Sequence, residues 1–148
     1  MNLYTILVHI HSGLRWLVLI SILVAIVTAA IKRLKNPTDV PGTFKVNLWA
    51  MILMHVQLLF GLVLFFISEK VVFAASSMSS SIHRFFLVEH SLMMLIAVAL
   101  VTVGYIKSKR ADNEKKKLRR VLIYYSLALI LILAAIPWPF RDLGGGWF

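Results

Sequence analysis

The chain has 148 residues, of which 60% are hydrophobic and 15% charged, with a mean hydropathy of +0.87 and a formal charge of +10. Such a composition excludes a water-soluble domain, and because the basic residues stand between apolar spans rather than along one face, it argues against a nucleic-acid partner. There is no cysteine, which rules out disulfides, thiolate metal sites, iron–sulfur clusters and covalently attached c-type haem, so any haem here is held non-covalently.

Four stretches reach the roughly 20 apolar residues that a helix needs to cross a bilayer. The first runs from about Leu3 to Ile31. It is too long for the apolar core of a signal peptide and has no basic segment before it, so it is expected to remain in the mature protein. It carries His9, His11 and Arg15. At a rise of 1.5 Å per residue the two histidines lie roughly 8 to 12 Å below the end of the span, and at about 200° apart they cannot both face one neighbour. His9 shares its stripe with Thr5, Ser12, Gly13 and Trp16, whereas His11 lies with Tyr4, Arg15 and Val18; His9 is the preferred inward ring. Arg15, about 17 Å deep, needs a partner, for which Glu89 is the first choice and Gln57 or a cofactor carboxylate the alternatives.

Lys32, Arg33, Lys35 and Lys45 flank the first connection, where Asn36-Pro37 and Pro41-Gly42 are expected to break the helix. The second span, about Val46 to Ile67, carries Gln57 and His55, the latter some 18 Å from the end of its helix on a stripe with Leu48, Met51, Ile52, Leu59 and Leu62. The following loop, Ser68 to Ser81, contains a run of serines that reads as a flexible connection. The third span, about Ile82 to Ile106, holds His83, Arg84, Glu89 and His90, with His83, Phe86, His90, Met94, Ala97, Val101 and Gly104 on one stripe. Eight lysines and arginines from Lys107 to Arg120 fill the third connection. The fourth span, about Val121 to Pro137, has only Tyr124 and Tyr125 as titratable groups; Pro137 and Pro139 end it, leaving Trp138, Phe140, Trp147 and Phe148 as interface anchors.

Short connections predict an all-α integral membrane fold, a single domain over residues 1–148 built as an up-down-up-down bundle of four transmembrane helices, with helices one and three on a diagonal. The basic loops belong on the cytoplasmic side, which puts the N- and C-termini outside.

Ionisable groups within a span are costly, so each is a functional candidate until a structural partner is found. Imidazoles at one level on helices one and three have the arrangement that a haem iron takes for two axial bonds, with His90 on one side, His9 or His11 on the other, and His55 as an alternative ligand. His83 and Arg84 stand near the outer mouth, where they could meet haem propionates or lipid phosphates. The structural alternative is that each histidine bonds a neighbouring helix. Imidazole also suits copper and zinc, to which Met51, Met54, Met93 and Met94 could add soft ligands, although methionine in such helices more often serves packing.

The stretches His9-Ile10-His11-Ser12-Gly13-Leu14-Arg15-Trp16, His55-Val56-Gln57-Leu58-Leu59-Phe60-Gly61, Val88-Glu89-His90-Ser91 and Ile136-Pro137-Trp138-Pro139 resemble a family of small bacterial membrane proteins labelled cytochrome b-like. The resemblance covers most of the chain and implies a b-type haem with His9 or His11, His55 and His90 as its candidate ligands. A fainter similarity, His9 followed seven positions later by Trp16, links the first helix to the HemJ-type protoporphyrinogen oxidases, another small four-helix family. That family is associated with haem and with a lysine in its third span, where this chain has His90 and no internal lysine, which counts against oxidase activity. The leading expectation is therefore a haem b electron-transfer protein of a bacterial cytoplasmic (inner) membrane, with a quinone or a respiratory redox subunit as partner and oligomerisation left open. The alternatives are a HemJ-like oxidase, a His/Met metal-ion carrier and a redox-silent assembly subunit.

Overall fold

The structure is a computed structural model describing residues 2–35 and 41–147. Helix α1 spans Leu3–Leu34 and starts where the Asn2 side chain accepts hydrogen bonds from the backbone N–H of Thr5 (2.9 Å) and from its hydroxyl (2.7 Å). Lys32 and Arg33 occupy its last turn, where positive charge complements the exposed carbonyls. Helix α2 spans Pro41–Ile67. Pro41, expected to break a helix, instead opens this one, because a proline at the first position gives up an N–H that has no helical partner; Asn36-Pro37 lies outside the described residues.

Helix α3 spans Ser81–Lys109. The serine run before it is not a plain linker: it folds into a 3-10 turn over Ala75–Ser79, in which the buried Ser77 hydroxyl donates to the Val72 carbonyl at 2.6 Å, and the Ser80 side chain caps α3. Helix α4 spans Glu114–Ala135, capped by Asn113, and gives way to extended backbone at Ile136 just before Pro137.

All four helices are long and apolar enough to cross a membrane. Helix α1 packs on α2 and α4, and α3 packs on the same two, so α1 and α3 are diagonal. The Tyr4 and Ser68 hydroxyls meet at 3.1 Å at one end, and the Ser108 hydroxyl donates to Lys117 O at 3.3 Å at the other, giving the up-down-up-down order. Leu17, Ile20, Leu23, Val27 and Ile31 of α1 are exposed on the outside of the bundle, a surface suited to lipid rather than water.

The bundle is closed towards its basic end and open at the other. Ala25, Ala29, Ala50, Ala97 and Ala128 are fully buried, and small residues of this kind let helix backbones approach closely. A Cβ on Gly104 would lie 2.5 Å from the Cβ of Tyr124, so α3 and α4 meet there with no room for a side chain. Tyr125, fully buried, donates to the Asn47 carbonyl at 2.9 Å and ties the second diagonal, α2 to α4. Nearer the N-terminal end the four helices enclose a cavity.

Candidate functional site

The cavity has a volume of about 280 Å³ and lies between all four helices at the end that holds Tyr4, Ser68 and Gly144. Helix α1 supplies Tyr4, His11, Arg15 and Val18 to its wall; these continue in register into the buried Ile22, Ala25 and Ala29. A stripe that packs as alanine at its closed end must face inward at its open end too. His9, the preferred inward ring from sequence, is exposed on another face of α1 and does not line the cavity; His11 takes its place.

His11 and His90 face each other across the α1–α3 diagonal, with ring centroids 6.4 Å apart and planes at 71°. Their settings differ. His90 Nδ1 lies 2.8 Å from the carbonyl of Ala135, the last residue of α4, whose oxygen lacks a helical partner. Nδ1–H therefore donates, and the neutral ring keeps its lone pair on Nε2. The Gln57 amide donates to the His11 backbone carbonyl at 2.9 Å and approaches His11 Nε2 at 3.4 Å, while His11 Nδ1 is buried with no hydrogen-bond partner among the described residues. Gly61 makes the space: a Cβ there would stand 3.2 Å from His11 Cε1.

Local backbone structure in α3 also aims His90. Residues Phe85–His90 form a wide π turn, and the Ser91 hydroxyl donates to the Phe86 carbonyl at 2.8 Å. Turns of this kind occur mostly as single insertions, often at functional sites. Phe85 and Phe86 flank the His90 ring at 5.9 and 6.0 Å.

The other candidates stand elsewhere. His55 bonds within its own helix, Nδ1 to Met51 O at 2.8 Å, and its Nε2 meets the Thr102 hydroxyl at 3.4 Å, away from the cavity. His83 is tied to the Lys70 carbonyl at 3.0 Å. Arg84 pairs with Glu89 at 3.0 Å and donates to Met78 O on the exterior, so the expected Arg15–Glu89 bridge does not form and Arg84 does not reach the cavity. The physical reason is distance along the chain: Arg84 and Glu89 share one stretch of α3, and Glu89 points outward. Of the methionines considered as soft ligands, Met54 and Met94 line the cavity, while Met51 and Met93 do not.

Arg15 is instead held by the C-terminal segment. It donates to Gly146 O at 3.2 Å and to Trp147 O at 2.8 Å, and the Trp16 indole donates to the same Trp147 oxygen at 3.1 Å. Compared with known protein families, curated proteins and solved structures, the chain matches none of them. Lys70 lines the mouth and donates to Gly144 O at 2.5 Å, and partial burial pushes its ammonium below the usual lysine range. No aspartate or glutamate lines the cavity among the described residues. Its polar wall is thus two imidazoles, two cations, one amide and hydroxyls.

Proposed function

We propose that this chain is a b-type haem protein of a bacterial cytoplasmic membrane, serving electron transfer, with His11 and His90 as the residues that would hold the iron and both termini on the outer side. The observation that carries the reading is the meeting of these two rings across the bundle diagonal, with His90 oriented by the Ala135 carbonyl. With centroids 6.4 Å apart, His11 and His90 are the two side chains that would hold the iron of a haem in this cavity.

The donor set favours a porphyrin over a bare ion. No group of three histidine, cysteine, aspartate or glutamate side chains able to hold a metal occurs among the described residues, whereas a porphyrin brings four nitrogens and asks the protein for only two ligands. A bound haem supplies a one-electron iron centre. The chain's own residues do the rest. The Ala135 carbonyl fixes the His90 tautomer and ring orientation, as outer partners of metal-bound histidines do. Gln57 positions His11 through its backbone, and the apolar wall of Val18, Met54, Val98 and Ile132 excludes water from the deep side. With the pocket near the outer face, a quinone in the bilayer or a redox subunit is the fitting electron partner.

The test is an absorbance spectrum of the detergent-purified protein, oxidised and dithionite-reduced, with pyridine extraction and metal analysis. Haem b with a six-coordinate spectrum that is lost on His11→Ala or His90→Ala is expected. A colourless protein, or one carrying copper or zinc without a Soret band, would overturn the reading in favour of an assembly subunit or a His/Met carrier. Turnover of a porphyrinogen would instead favour the HemJ-like oxidase.

A further inference from the structure

We infer that Arg15 and Lys70 form a carboxylate-recognition site for the amphiphile in the cavity, and that the C-terminal strap, residues 142–147, is a tethered lid whose carbonyls hold these cations in the amphiphile's absence. The inference rests on the cavity being a ligand site, as proposed above, but not on iron.

Three observations carry it. Both cations line the same cavity, and among the described residues neither has an acidic partner within ion-pair distance; such charges in an apolar bundle are costly without an anion. What they do hold is neutral backbone: three residues of one four-residue stretch, Gly144, Gly146 and Trp147, supply the strap acceptors. A peptide carbonyl is a weaker partner for a guanidinium or ammonium than a carboxylate, so an acid group entering the cavity can displace it. Finally, Arg15 Nε is buried with no partner among the described residues, which leaves a further donor for an oxygen that the described strap does not provide.

The strap itself is made to lie close and to leave. Gly144 has φ of +66°, a conformation that side chains rarely adopt, and a Cβ on Gly145 would fall 1.9 Å from the Pro137 carbonyl oxygen. Only a stretch without side chains fits between Pro137 and the two cations. Beyond it, Trp147 packs against Trp16 and Trp138 at 6.4 and 6.0 Å, a clasp built from apolar contact rather than from chain continuity.

The ligand class is thus a flat or extended apolar body bearing one or more carboxylates. The probes are metal-free protoporphyrin IX, a dicarboxylic acid, and its dimethyl ester, titrated against the full chain in detergent by quenching of tryptophan fluorescence. The free acid is expected to bind about tenfold more tightly than the diester at neutral pH. That ratio should shrink in Arg15→Gln and in Lys70→Gln, approach one in the double variant, and persist in Arg15→Lys, Lys70→Arg and His55→Ala. Hydrogen exchange of the C-terminal peptide should quicken when the acid binds and not when the ester binds. Equal affinities in the wild-type chain, a ratio unmoved in the double variant, failure of either probe to bind, or slower exchange of the strap would each overturn the inference. Because the probes lack iron, a colourless protein that still prefers the acid leaves this site standing without the haem. A bis-histidine haem protein that ignores the ester modification leaves the haem without this site.

Discussion

Replacing Gly145 by alanine separates a lid from a wall. The added Cβ would lie 1.9 Å from Pro137 O, and ordinary contact begins near 3.4 Å, so the backbone has to retreat by about 1.5 Å. A retreat of that size takes the Arg15 bonds to Gly146 and Trp147, at 3.2 and 2.8 Å, and the Lys70 bond to Gly144, at 2.5 Å, out of hydrogen-bond range. Because these donors sit at a partly exposed rim where water can replace the lost carbonyls, the cost is set near the low end for charged hydrogen bonds, about 1 to 3 kcal/mol in total. At roughly 2–4 °C per kcal/mol for a chain of this size, melting in detergent should fall by about 2 to 12 °C. If the strap competes with the ligand, the same free energy returns as affinity. Protoporphyrin IX should then bind about fivefold more tightly or better, since each 1.4 kcal/mol is worth about a factor of ten. Thermal melting and fluorescence titration on one preparation read both. A lower melting temperature together with weaker or unchanged binding of the acid would refute the reasoning, because the strap would then be part of the binding wall. An unchanged melting temperature would refute the contact argument itself.

Among the histidines, His11→Ala and His90→Ala should each abolish a bis-histidine haem spectrum while leaving the chain folded. His9→Ala, His55→Ala and His83→Ala should leave that spectrum unchanged, and loss of colour on His55→Ala would contradict the pairing across the diagonal. His90→Ala should also cost about 1 kcal/mol through its lost bond to Ala135 O, read as a lowered detergent melting temperature. Gly104→Ala puts a methyl 2.5 Å from the Tyr124 Cβ and should destabilise the α3–α4 contact by about 1–3 kcal/mol without altering ligand binding, checked by melting and titration together. Lys70 predicts two opposed pH slopes, because burial holds its ammonium below the ordinary 10.5. The folded state disfavours the charged form, so the penalty is full below the folded pKa and is relieved as pH climbs towards 10.5, raising stability. The preference for the acid over the ester falls across that same window as the positive charge is lost. Lys70→Gln should remove both slopes, which melting and titration between neutral pH and pH 10.5 would detect.

The four apolar helices were legible because about 20 consecutive apolar residues have few other uses; the described helices contain the first three expected spans whole, and the fourth stops at Ala135, two residues short of the expected Pro137. Reading which face of α1 turns inward was harder. Most residues near His9 and His11 are apolar or small, so the periodicity that sorts faces in a soluble helix was faint; the better signal lay further along, where Val18, Ile22, Ala25 and Ala29 extend the His11 stripe. His90 was found, but the π turn at Phe85–His90 that orients it leaves no mark in composition. Arg15 was assigned to Glu89 because acids are scarce; its actual partners are backbone carbonyls, which every residue carries and no pattern reveals.

Hydropathy and the placement of lysine and arginine therefore specified an all-helical chain with four membrane-length helices, because burial of apolar surface depends on residue type alone. Tertiary structure decided which imidazoles meet, where the cavity opens and what covers it. These depend on helix rotation, on one wide turn and on a glycine strap 131 residues from Arg15, and each follows from close packing between segments whose separate sequences carry no record of one another.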